Sequence, residues 1–224
     1  MDKQFFFFLP IAIIIAGIAL INFFFTKNAI VKRKLKKATG KKISEFVSGE
    51  VAKVAGKVEY VGKPLIAPLS GRPCAYYSVI VKEKDSSESS NWNSLIEEEV
   101  AGTFVIRDGK YCAHINCNHV KSYIVKDMNY SSGFLDDATD VLEDFLQKHG
   151  QKSEDFLGLN KSLHYKEGIL EEGELMAVVG RGEWKNASQV GLPESYGRIL
   201  DISSTEEEPV YLSDDPETVE TKYA

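Results

Sequence analysis

The chain has 224 residues and a formal net charge of −6, from 27 basic and 33 acidic side chains. That charge is unevenly placed: beyond position 42 there are 18 basic and 32 acidic residues, and so acidic a body repels a phosphate backbone, which excludes nucleic acid as a partner. Three cysteines, an odd number, exclude a disulfide framework and fit a reducing compartment.

After a four-residue N-terminal tail, residues 5–25 read FFFFLPIAIIIAGIALINFFF without a charge. At ~1.5 Å per residue this stretch reaches about 30 Å as a helix, which predicts one transmembrane crossing. Only Lys3 precedes it as a basic residue and no small-x-small site follows, so an uncleaved anchor is expected rather than a signal peptide. Residues 26–42 form a basic juxtamembrane linker containing Lys27, Lys32, Arg33, Lys34, Lys36, Lys37, Lys41 and Lys42 with no acidic residue among them. This asymmetry predicts an N-terminus outside and a cytoplasmic body. From Lys32 onward the same seven side chains are candidates for anionic lipid headgroups, each worth ~1 kcal/mol near a membrane surface. A topology signal alone accounts for them equally well. The acidic body is expected to stand off the lipid while the stalk touches it.

Residues 43–216 read as one β-rich domain, long enough to bury a proper core. Val54, Gly56, Val58 and Tyr60 alternate on one face, as do Ala75, Tyr77, Val79 and Val81. The two runs predict a hairpin whose connection is built from Pro64, Pro68, Gly71 and Pro73. The low-complexity patch at 84–93, KDSSESSNWN, reads as a long hairpin loop leading to the next strand. A second hairpin is expected from 101–106 and 111–115 around Asp108 and Gly109, followed by a strand at 119–125. Phe134, Leu135, Ala138, Val141, Leu142, Phe145 and Leu146 recur at helical spacing, with Asp136 and Asp137 in the first turn and Lys148 in the last. Strands are expected again at 162–168, 175–180, 198–203 and 210–213, and the end, DDPETVETKYA, reads as solvated, with 217–224 a tail. The fold class expected is mainly β (α+β): an N-terminal transmembrane helix, then a small antiparallel β-barrel-like domain of OB size with one packed helix.

Several of these segments form an ordered pattern. It comprises the Gly56-Lys57-Val58 strand, the run PLIAPLSGRPCAYY at 64–77, FVIRDG at 104–109 and YKEGILEEGELMAVVG at 165–180. The pattern resembles the GIDE, or beside-a-membrane, domain of mitochondrial membrane-anchored E3 ubiquitin ligases and their bacterial relatives, and it spans roughly 43–216. The resemblance implies a β-fold, a place beside a membrane (the bacterial inner membrane) and protein binding. Ligases of that family carry a RING with eight Cys or His ligands and two membrane spans. With three cysteines, none after Cys117, these residues hold no RING. The expected function is therefore a single-pass, membrane-anchored cytoplasmic docking or scaffold module with no catalysis of its own. Two alternatives stand beside it. One is ubiquitin transfer with a RING supplied by another chain, and the other is a metal or redox sensor.

The sensor would use Cys112, His114, Cys117 and His119, four zinc-compatible ligands within eight residues. In a regular strand the first two face opposite to the last two, so hairpin structure is the favoured reading. Cys112 beside a histidine could be a nucleophile, but no helix N-terminus or basic cluster is visible to lower its pKa. Cys74 stands at the signature cysteine of the resembling family and reads as packing. The acidic clusters lack EF-hand spacing and the glycine segments lack a P-loop lysine, so no catalytic residue and no cofactor are assigned. Pro64, Pro68, Ser70 and Gly71 on the turn loop, with Trp92 as an aromatic anchor, are the protein-binding candidates.

Overall fold

The computed structural model describes residues 26–85, 91–132, 138–154 and 159–220. Strand β1 (Val51–Tyr60) carries its hydrogen-bonding partners on both edges, which decides the architecture. One edge pairs with β6 (Phe104–Asp108), and the other pairs with β11 (Leu175–Asn186), Val54 facing Val178. From β6 a tight turn at Gly109 (φ +59°) leads into β7 (Tyr111–Ile115), and β7 runs parallel to β12 (Arg198–Ser203), which returns to β11. These five strands close a barrel. Val54, Val58, Phe104, Ile106, Met176, Val178 and Leu200 fill it, all buried.

Further along β11, β13 (Val210–Ser213) takes up the ladder, and β8 (Val120–Tyr123) lies parallel to it. A second, wholly antiparallel sheet has the order β5 (Trp92–Ala101), β4 (Tyr76–Lys84), β10 (Leu163–Leu170) and β9 (Met128–Ser132). Two short strands, β2 (Leu65–Ile66) and β3 (Pro73–Cys74), pair with each other alone.

Glycine explains why β11 runs on to Asn186 instead of stopping near 180. A Cβ on Gly180 would sit 2.6 Å from Ile202 Cγ2, and one on Gly182 would sit 2.7 Å from Phe46 Cε1. The two glycines, easily read as a strand end, admit neighbours that no side chain would allow.

Several expectations are corrected. The architecture contains no spanning helix: among the described residues, no helix is long and apolar enough to cross a membrane, and residues 5–25 lie outside the described residues. The domain is a barrel plus a second sheet, with two parallel pairings, rather than one antiparallel barrel. The expected first hairpin does not form, because β1 spends both edges inside the barrel while β4 pairs with β5 and β10 in the other sheet. The β4–β5 hairpin does form, and pairing of Lys84 with Trp92 leaves it a shorter connection than 84–93.

The helix expected from the 134–146 periodicity is α2 (Asp140–Lys148), and it packs on the second sheet rather than on the barrel. Thr139 caps it, its Oγ1 accepting from Leu142 N at 3.3 Å. Phe134, Leu135, Asp136 and Asp137 lie outside the described residues. Leu142, Phe145 and Leu146 press onto Val79, Val81, Ile96 and Leu163.

Two further helices were not expected. Helix α1 (Lys27–Lys37) occupies most of the basic linker, capped by Thr26, and α3 (Pro216–Val219) occupies the end that reads as solvated. Val31 and Leu35, one turn apart and fully buried, seat α1 on Ala177 and Val179 of β11. For α3 the local signals are Asp215, whose carboxylate accepts from Glu217 N at 2.9 Å, and Pro216 in the first turn. Buried Lys53 closes its other end, donating to Thr218 O at 3.1 Å and Glu220 O at 2.9 Å.

Beside α3, Asp214 accepts from Val125 N at 2.9 Å, and burial pushes its carboxyl up to about 6. An unfolded aspartate releases its proton near pH 3.9. Between about pH 4 and 6 the folded protein therefore holds a proton that the unfolded chain has lost, so this group makes stability fall as pH rises through that window. Asp214→Asn, which keeps the acceptor oxygen, is expected to raise the melting temperature at pH 7 and leave it unchanged at pH 4. Parallel wild-type and variant melting curves across the window would contradict this account.

Candidate functional site

The turn loop at 64–73 owes its shape to a charge in an unexpected place. Glu167 lies on β10, and its residue is 1 % exposed. One carboxylate oxygen accepts from Leu69 N at 2.8 Å and the other from Ser70 N at 3.0 Å. Ionised carboxylates accept such paired N–H bonds strongly, so the loop is gripped by its backbone irrespective of its side chains. Ala67 N donates to Arg72 O at 2.9 Å, and Gly71 at φ +70° makes the left-handed step that only glycine takes without strain. Arg72 forms a two-pronged ion pair with Glu171, and Tyr60 OH donates to Pro73 O at 2.9 Å. Beneath the loop, Ala67, Cys74 and Ile169 make a closed apolar floor.

Pro68, Ser70 and Gly71 line a groove of about 740 Å³ between this loop and α2, together with Ile66 and Val141. Ile66 and Val141 are 56 % and 47 % exposed, an apolar pair that the fold leaves in water. Tyr77 OH donates to Glu98 at 2.7 Å, and His149 Nε2 lies 2.9 Å from the other oxygen of Glu98, which fixes the groove floor. Pro64 stands at the loop entrance, outside this lining. The structure thus gathers three of the four loop candidates and adds Glu167, Ile66 and Val141. A glutamate among the buried positions of β10 is the only signal by which sequence could have found the first of these.

Trp92 does not join them. It stands on β5, its ring stacked on His164 at 3.9 Å, away from the loop.

The Cys and His set is dispersed. Among the described residues no group of three His, Cys, Asp or Glu side chains converges to hold a metal ion. Cys112 is buried against Val105, Leu192 and Ile199 on the barrel's outer side. His114 Nδ1 lies 2.8 Å from Asp201 Oδ1, and Lys185 Nζ donates to Asp201 Oδ2 at 2.7 Å. Burial pushes the Asp201 carboxyl up, and these two bonds outweigh it, holding the group below the usual range. Cys117 packs beside the barrel core, and His119 is exposed. Burial raises every thiol pKa: Cys74 to about 11, Cys117 to about 12, and Cys112 also upward. Each thiol is therefore protonated at neutral pH and a poor nucleophile.

The basic linker is likewise put to internal use. Lys27 pairs with Glu99, Lys32 with Asp215 at 2.5 Å, Lys36 with Glu217 at 2.7 Å and Lys41 with Glu50 at 2.6 Å. Lys34 lies over the Tyr211 ring. Arg33 and Lys42 also have partners, while Lys37 is exposed. A stalk sewn down in this way cannot hold the body off at a distance, which corrects that expectation.

No family model, curated protein or solved structure matches this chain.

Proposed function

We propose that this chain is a non-catalytic binding module of the GIDE type that works at a membrane surface and presents its 64–73 loop to a protein partner. The observation that carries the reading is the Glu167 grip on Leu69 and Ser70, which holds the loop preformed beside an open groove. A rigid loop loses little freedom on binding, so more of the contact energy is left for affinity. The exposed pair Ile66 and Val141 supplies the apolar contact, and a partner side chain of similar character would fill the space between them. The uncharged residues 5–25 and the basic residues that follow them support a place at a membrane with the body on its cytoplasmic side.

The test is proximity labelling from the full-length chain in its native membrane beside an Ile66→Lys and Val141→Lys double variant. Both side chains are exposed, so the fold is retained. Neighbours present with the native chain and lost with the variant are expected. Identical neighbour maps would overturn the reading.

A further inference from the structure

Strand alternation gives the second sheet two different faces. Val79, Val81, Leu163 and Tyr165 turn toward α2, while Ile80, Lys82, His164 and Lys166 turn the other way. There they meet Tyr123 and Lys126 across a groove of about 460 Å³, with the Trp92 indole lying flat on His164, ring planes 6° from parallel.

Among the described residues, the lining of this groove contains three lysines and no carboxylate. Lys126 is the informative one. Its Nζ donates to Ser78 O at 3.0 Å and Ser78 Oγ at 2.8 Å, both neutral acceptors. An ammonium has three N–H donors, so one donor remains to be answered, and the charge is met only at a distance by Glu99, Asp214 and Asp127. Burial lowers the pKa of this lysine, an effect that a bound anion reverses. Lys82 and Lys166 are exposed on the same face and lack an ion-pair partner among the described residues. The carboxylates nearby lie outside this lining: Glu97, Glu98 and Glu99 line an adjoining groove of about 390 Å³, where Glu99 is engaged by Lys27, Tyr76 and Ser122, Glu98 by Tyr77 and His149, and Glu97 by the Ser94 hydroxyl, while Asp127 and Asp214 accept from Ile169 N and Val125 N.

We propose that the groove between Lys82, Lys126 and Lys166 is a binding site for the phosphate of a lipid headgroup. Three ammonium groups around a cleft of this size suit a phosphate ester, and the Trp92–His164 stack offers a flat wall to the glycerol side of a lipid. The lipid source follows from position: Thr26 and Lys27 line the adjoining groove, directly after the uncharged residues 5–25. The assignment thus rests on the membrane reading above. It moves headgroup contact from the stalk, where Lys32, Lys36 and Lys41 are already paired, to the body.

The full chain in neutral detergent micelles tests this with Trp92 as the probe. Trp184→Phe leaves Trp92 as the only tryptophan, and its emission is followed while dihexanoyl phosphatidic acid, dihexanoyl phosphatidylcholine or inorganic phosphate is added. A saturable change is expected with phosphatidic acid. Lys82→Gln with Lys166→Gln should weaken it about tenfold or more, and Lys37→Gln on the stalk should not. Equal affinity in the double variant, or no saturable change with any phosphate-bearing probe, overturns the site. Inorganic phosphate binding as tightly as phosphatidic acid overturns the lipid source. Flotation of the full chain with phosphatidylcholine vesicles is read separately. A chain that floats while Trp92 stays silent overturns only the headgroup site. One that fails to float while Trp92 responds overturns only the membrane reading.

Discussion

Replacing Glu167 by alanine will destabilise the protein by about 2–4 kcal/mol, because it leaves two backbone N–H groups without their acceptor and opens a hole beneath the loop. The donors are Leu69 N and Ser70 N, held at 2.8 and 3.0 Å, and among the described residues neither has another acceptor. Glu167→Gln should fall between the wild type and the alanine variant, since an amide has one acceptor oxygen where the carboxylate has two. Hydrogen exchange at Leu69 and Ser70 measures this directly. Protection should drop sharply at both amides in the alanine variant and at one in the glutamine variant. If both variants keep wild-type protection, the carboxylate does not organise the loop and the docking proposal loses its basis.

The second large effect is expected at the join between stalk and body. Leu35 is fully buried where α1 meets β11, and Leu35→Ala should cost about 2–4 kcal/mol through lost burial and the cavity left behind. Ion pairs from Lys32 and Lys36 to the α3 region remain; the exposed Lys36–Glu217 pair contributes little, which leaves Lys32 on the buried Asp215 as the one substantial polar fastening of α1 there. Trypsin reads the outcome, since residues 32–37 supply five basic cleavage points that docking protects. Rapid cutting there in Leu35→Ala, with the native chain resistant, is the expected result. Equal resistance would mean that the ion pairs rather than the apolar contact fasten the stalk. Detachment also bears on the groove near Lys126, because α1 contributes Asn28 to its wall.

Local pattern determined a good part of this protein. The turn at Gly109 between β6 and β7, the bounds of β12 and β13, and the apolar stripe of α2 follow from alternation, helical spacing and a glycine suited to a left-handed turn. Those signals act over a few residues, and the sequence displays them. It likewise contains the protonated state of its thiols only as a tendency toward burial, which packing then made definite. Which strand lies beside which was decided by long-range pairing. Alternation in β1 and β4 is the same whether they join each other or separate sheets, and closure of β1 onto both β6 and β11 separated them. Charge behaved in the same way. Eight basic residues after an apolar stretch read as a free stalk because sequence counts charges without showing what faces them. Only the fold brought Glu99, Asp215, Glu217 and Glu50 opposite those lysines, and only the fold put a glutamate under a loop nearly a hundred residues away.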